Sequence, residues 1–190
     1  MSPVAAAEWV QPTTRAILWS PLLGAAATSL GVGALVWLSD GPLGALFGLL
    51  AAVIASTVIA GLHDPAADLL AASPTSETRR RARRLMLLGP AAVLAWLVLI
   101  GMARLASPES ATGWSVGPLI ALTATGVSAA TWCPARWAVT AGATVPLLWF
   151  ACARLSSGEG IHTDLLAAWE TTPWTVTAIA LALVLIGARR

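Results

Sequence analysis

The chain has 190 residues, 57% of them hydrophobic and only 11% charged, and its mean hydropathy is +0.79. Soluble domains carry about 25% charged residues, so a water-soluble globule of this size would lack the charges to cover its surface. Soluble enzymes, nucleic-acid binders and disordered chains are thereby excluded. The formal net charge is +2 and the sequence pI about 9.0, but the basic residues flank apolar segments, so bilayer topology rather than a nucleic-acid partner accounts for them.

The expected fold is all-α, a polytopic membrane protein forming a single transmembrane domain over 1–190. Six apolar segments are long enough to be read as spans of about 20 residues: 17–38, 43–62, 85–105, 114–131, 135–153 and 173–187. The first is preceded by a stretch holding Glu8 and Arg15 and ends without a small-residue cleavage site, so it is expected to be a retained span rather than a signal peptide. With the N-terminus in the cytoplasm, Arg15, Arg79, Arg80, Arg81, Arg83, Arg84, Arg136, Arg189 and Arg190 fall inside. Only Arg104 and Arg154 fall outside. This bias predicts six spans with both termini cytoplasmic. Trp19, Trp37, Trp114, Trp132, Trp137, Trp149, Trp169 and Trp174 lie near span ends, where indoles form interfacial belts; Trp96 lies near a span centre.

No Asp, Glu, Lys, Arg or His stands well inside any span. Ion-coupled transporters place ionisable groups there, and a serine hydrolase needs a base to activate its nucleophile. Ser128, in Thr125-Gly126-Val127-Ser128-Ala129, has no histidine on a span to pair with. Cys133 and Cys152, 19 positions apart at opposite ends of one expected helix, are ~28 Å from each other at helical rise, beyond disulfide reach. With His63 and His162 the only histidines, no metal-ligand spacing exists. The chain is therefore expected to carry no catalytic residue, metal or cofactor of its own.

The second span carries small residues at four-residue spacing, Gly44, Gly48, Ala52, Ser56 and Ala60, a smooth face for close helix packing either within the bundle or against a second copy. Prolines Pro21, Pro90, Pro118 and Pro146 predict bent or broken helices. A pore of its own would need a polar route, to which Thr123, Thr125, Ser128, Thr140 and Thr144 could contribute; interhelical hydrogen bonds explain them equally.

The long connection 63–84 is the most informative stretch. Asp64-Pro65 reads as an N-cap with proline at the first helical position, and Ser73-Pro74 repeats the device. A short helix over 65–72 would expose Leu69 and Leu70 beside Asp68. A second helix, with Glu77 in its first turn, runs through Arg79, Arg80, Arg81, Arg83 and Arg84 into the third span. Those five arginines form a topology anchor that also attracts anionic lipid headgroups.

Leu69-Leu70-Ala71-Ala72-Ser73-Pro74-Thr75-Ser76, followed by a basic run and a new span, resembles the loop of type-2 ATP-binding-cassette (ABC) exporter permeases. The all-arginine, alanine-rich composition points to a short bacterial member, from a GC-rich genome such as an actinobacterial one. The resemblance implies six spans with cytoplasmic termini and a short coupling helix between spans 2 and 3. That helix would dock on an ABC ATPase subunit through His63, Asp64, Asp68, Leu69, Leu70, Ser73, Pro74 and Thr75. It also implies an outer helical hairpin before span 6, for which 156–172 is the matching segment, with Ile161, Leu165, Leu166 and Trp169 at helical spacing. ATP and Mg would be bound in the partner subunit, because this chain has no GxxxxGK[ST] phosphate loop, and a second permease copy, identical or related, would complete the pathway. The alternative is a non-transporting membrane scaffold, accessory or immunity protein that binds partners through its small-residue stripe.

Overall fold

Apolar runs punctuated by Gly and Pro become helices and nothing else. The computed structural model describes residues 13–14, 17, 19–38, 44–63, 77–106, 115–156 and 161–188, and among them there is no strand. The helices are α1 (Ser20–Leu38), α2 (Gly44–Ala60), α3 (Glu77–Ala106), α4 (Gly117–Trp132), α5 (Ala135–Leu155), α6 (Ile161–Thr171) and α7 (Pro173–Gly187). The arginine run and the third apolar segment form one continuous helix, α3, that passes Pro90 without ending, as α5 passes Pro146. The sharp break falls elsewhere: α6 meets α7 across Thr172 at 100°.

Each of the six expected segments is helical where it is described, but among the described residues length and composition qualify only Arg79–Leu105 and Ala135–Leu155 to cross a membrane, and Ser20–Leu35 and Leu46–Ala60 are shorter apolar helices. Asp164–Thr171 with Pro173–Gly187 makes a third if the bent pair is counted as one span. With 16 and 15 residues, α4 and α7 are ~24 and ~22 Å long, short of the ~30 Å hydrocarbon core. Both start recessed. The Trp96 indole donates to the Ser115 carbonyl at 2.9 Å, so α4 begins about ten residues, ~15 Å, below the end of α3. A Cβ on Gly117 would lie 2.7 Å from Cγ of Pro173, which places the two proline-led starts side by side.

The core is built around α2, which is apolar nearly all round and therefore buried nearly all round, Leu49 being exposed. Ala51, Ala52, Ile54, Ala55 and Ile59 have no accessible surface. It packs against α1, α3, α4 and α5, whereas α3 packs on α1 and α2 and stands off α4 and α7. On the outside, Leu94, Leu97 and Val98 of α3 and Ile179, Leu181, Leu185 and Ile186 of α7 are exposed. An apolar exterior of this extent is rare on soluble monomers and is compatible with a membrane protein.

Two tryptophans are used differently from the others. Trp132, Trp137 and Trp174 are exposed, but Trp96 and Trp169 are fully buried. Trp96 packs on Phe47 at a 45° tilt with centroids 4.5 Å apart, and Trp169, expected in an interfacial belt, enters the bundle from α6 and meets Phe150 edge-on at 6.4 Å. The four-residue register of α2 leaves room for it, since a Cβ on Gly48 would sit 2.7 Å from Cη2 of Trp169.

The tightest backbone approach joins α4 to α5. A Cβ on Gly126 would lie 2.6 Å from the Gly142 carbonyl oxygen, and one on Gly142 would lie 2.7 Å from that of Gly126, with Ile59 of α2 closing the same contact. Gly126→Ala or Gly142→Ala is expected to cost about 1–3 kcal/mol, because a backbone rather than a side chain has to yield. Gly101→Ala, which meets nothing within 4 Å, is expected to be neutral or slightly stabilising. Thermal denaturation of the three variants in one detergent compares them.

Candidate functional site

Two places collect polar or accessible groups: a cavity on the flank formed by α4–α7, and the junction of α2 with α3. The flank cavity has a volume of about 750 Å3, within the range of small-molecule sites. It is framed by α6, which three contacts hold across the bundle. The Trp149 indole donates to the Leu166 carbonyl at 2.9 Å, Arg154 pairs with Glu170 at 3.3 Å, and Trp169 is locked between Gly48 and Phe150. The ion pair is half-exposed on both sides and contributes little by itself; the buried indole is the anchor.

The lining is apolar with a few hydroxyls, from Thr125 and Ser128 on α4 and Thr172 and Thr175 around the bend. Thr125 donates to the Leu122 carbonyl at 2.9 Å and Thr172 to that of Ala168 at 3.2 Å. Both wall indoles are likewise engaged, Trp149 as above and Trp132 with the Leu183 carbonyl at 3.1 Å. Such a wall offers ring faces and alkyl groups and suits an apolar molecule better than an ionic one. The five hydroxyl residues considered for a polar route do not converge. Thr125 and Ser128 face this cavity, Thr123 lines a separate one beside α3, and Thr140 and Thr144 are exposed on α5.

At the other site the chain leaves α2 through Gly61, Leu62 and His63, whose amides close turn bonds onto Thr57, Ile59 and Ala60. The last carbonyls of a helix need external donors and favour a cation. Those of Thr57, Ile59 and Ala60 take the three turn amides, and Arg84, 5% exposed, places its cation at this end and donates to the His63 carbonyl just beyond them. Gly61 permits this closeness, because a Cβ there would lie 2.7 Å from Cδ1 of Leu88. Arg79 is exposed, Arg80, Arg81 and Arg83 are half-buried, and all five arginines of the run have interaction partners within the protein. The run is thus more than a solvated anchor; part of it belongs to the packing.

Of the residues expected to dock a partner, His63 is exposed beside Arg84; Asp64, Asp68, Leu69, Leu70, Ser73, Pro74 and Thr75 lie outside the described residues. Gly44 begins α2; Gly48, Ala52 and Ser56 are buried and Ala60 half-buried, in a helix enclosed by its own bundle. The segment 156–172 contributes a single described helix, α6, followed by the bend. Cys133 and Cys152 are free, and the described residues contain no group of His, Cys, Asp and Glu that could hold a metal. Sequence reasoning did not find the burial of Arg84, the seat of Trp169 or the flank cavity.

Arg84→Leu is expected to leave the bundle folded while raising amide exchange at Gly61, Leu62 and His63 by roughly 10- to 100-fold, the equivalent of about 1–3 kcal/mol for one lost charged hydrogen bond. Hydrogen exchange read by mass spectrometry, with Arg79→Leu as the exposed control, checks it. No family model, curated protein or solved structure matches this chain.

Proposed function

We propose that this chain is the transmembrane permease subunit of an ATP-driven exporter, a multi-pass inner-membrane protein with six spans and both termini in the cytoplasm. It would couple through the 63–84 connection to a separate ABC ATPase subunit that binds ATP and Mg. The observation that carries this reading is the mount of that connection. One of its ends leaves α2, the other enters α3, and the buried Arg84 ties the two together at the His63 carbonyl. A push on a loop held in this way is delivered to α2, the helix that packs on α1, α3, α4 and α5, so a local docking event becomes rigid-body motion. The lack of ionisable residues inside the expected spans supports an energy source outside the bilayer, and the apolar flank cavity suits a hydrophobic or amphipathic cargo.

The second reading, a scaffold or accessory protein, draws support from the scatter of Thr123, Thr125, Ser128, Thr140 and Thr144, which do not line one route. The pair Leu69→Asp and Leu70→Asp separates the two. As a permease, the protein is expected to insert normally, lose its ATPase partner in co-purification and lose export; as a scaffold, it should be indifferent to both changes. Cysteine labelling of the 64–76 segment provides an independent check. Reaction with a membrane-impermeant reagent from the external face of intact cells would overturn the topology and the coupling together.

A further inference from the structure

We infer that the cleft between α3 and the α4–α7 pair is a binding site for one anionic phospholipid, its phosphate on Arg81 and an acyl chain along the cleft. The cleft exists because α3 packs on α1 and α2 but stands off α4 and α7. It comprises two adjoining cavities of about 410 and 310 Å3 that share Leu85, Val127 and Val184 as walls, with Val58 and Ile59 of α2 and Leu62 just past it as the floor. Three helices give the same length. The cleft runs from Arg81 to Val93 on α3, from Thr131 to Leu119 on α4 and from Ala188, just past α7, to Thr177 on α7, twelve or thirteen residues each, or ~16–18 Å of helical rise. One leaflet of hydrocarbon is ~15 Å deep, half of a ~30 Å core.

The chemistry is graded along that length. Among the described residues Arg81 is the only charged side chain in the lining, and it stands at one end. Arg80, Arg83 and Arg84 occupy the same two turns, and the chain continues past Ala188 into Arg189 and Arg190. A guanidinium has five N–H donors, so an internal partner of Arg81 leaves donors for a phosphate. Beyond it the hydroxyls of the described lining donate to carbonyls of their own helices. Thr131 donates to the Ser128 carbonyl at 2.6 Å, Thr123 to Leu119 at 2.8 Å and Thr177 to Pro173 at 2.8 Å. A slot with one cationic end and an alkyl-lined interior a leaflet deep excludes a soluble anion and a neutral lipid as preferred occupants. It selects a molecule that is both anionic and acylated, and such a lipid would fill the gap between the two halves of the bundle that α2 alone bridges extensively.

The test uses the full-length protein, purified and reconstituted in phosphatidylcholine nanodiscs with or without phosphatidylglycerol, with bound lipid counted by native mass spectrometry after release. The wild type is expected to retain one phosphatidylglycerol in about five- to tenfold preference over phosphatidylcholine, the effect expected of one arginine at a headgroup. Arg81→Gln should remove the preference, whereas Arg79→Gln, outside the lining, should keep it. Gly89→Leu should abolish retention, since Gly89 lines the cleft with open space around it, and leucine there fills the slot while improving helix propensity. Equal retention of the two lipids by the wild type, an Arg79→Gln loss matching that of Arg81→Gln, or full retention by Gly89→Leu would overturn the site. Displacement of the lipid by inorganic phosphate alone would do so as well, since it would show that the acyl chain contributes nothing.

Discussion

The approach of Gly126 to Gly142, closed by Ile59, is the contact on which the rest of the bundle rests. Helices with apolar outer faces gain little in lipid from hiding those faces, so their association depends on how closely the backbones can come. At this point three helices, α2, α4 and α5, meet with no side chain between the α4 and α5 backbones. The α4–α5 hairpin can then offer α2 a smooth wall, and α2 in turn bridges the bundle's two halves, α1 with α3 and α4 with α5 and α7. A methyl group inserted at either glycine would act at the centre of this chain of dependence.

The two ends of α2 are specialised in different ways. Toward its start, Gly48 receives Trp169, and that indole fixes α6 across the bundle at 100° to α7. Toward its finish, Gly61 lets Leu88 in and Arg84 binds the His63 carbonyl. One helix therefore senses both the cross-lying α6, which frames the flank cavity, and the arginine-rich junction at the other end. That mechanical continuity supports the proposed permease reading, in which the junction would be the input and α2 the element that carries a push across the bundle.

Much of this was legible in the sequence, and particular residues show why. Composition required an apolar exterior, and the apolar runs gave every long helix, because helix formation in lipid follows local hydrophobicity and backbone satisfaction rather than distant contacts. The glycine pair was legible in principle too: Gly126 stands seven residues before Cys133 and Gly142 eight after Pro134, so a tight turn at Cys133-Pro134 brings them opposite each other. Trp169 was misassigned to an interfacial belt because its distance from a span end is the same whether the ring faces headgroups or a glycine on another helix. Arg84 was grouped with its four neighbours for the same reason: a run of like residues has no internal mark to say which one turns inward.

Sequence alone determined what is additive along the chain: the helical class, the segment positions, the arginine asymmetry and the absence of ionisable groups from the apolar runs. Only the tertiary structure decided that α4 and α7 start recessed beside each other, that α3 stands off them to leave a cleft, and which arginine and which tryptophan are buried. Those outcomes depend on which helix faces which, and a periodic apolar pattern specifies that a helix has neighbours without specifying their identity or depth.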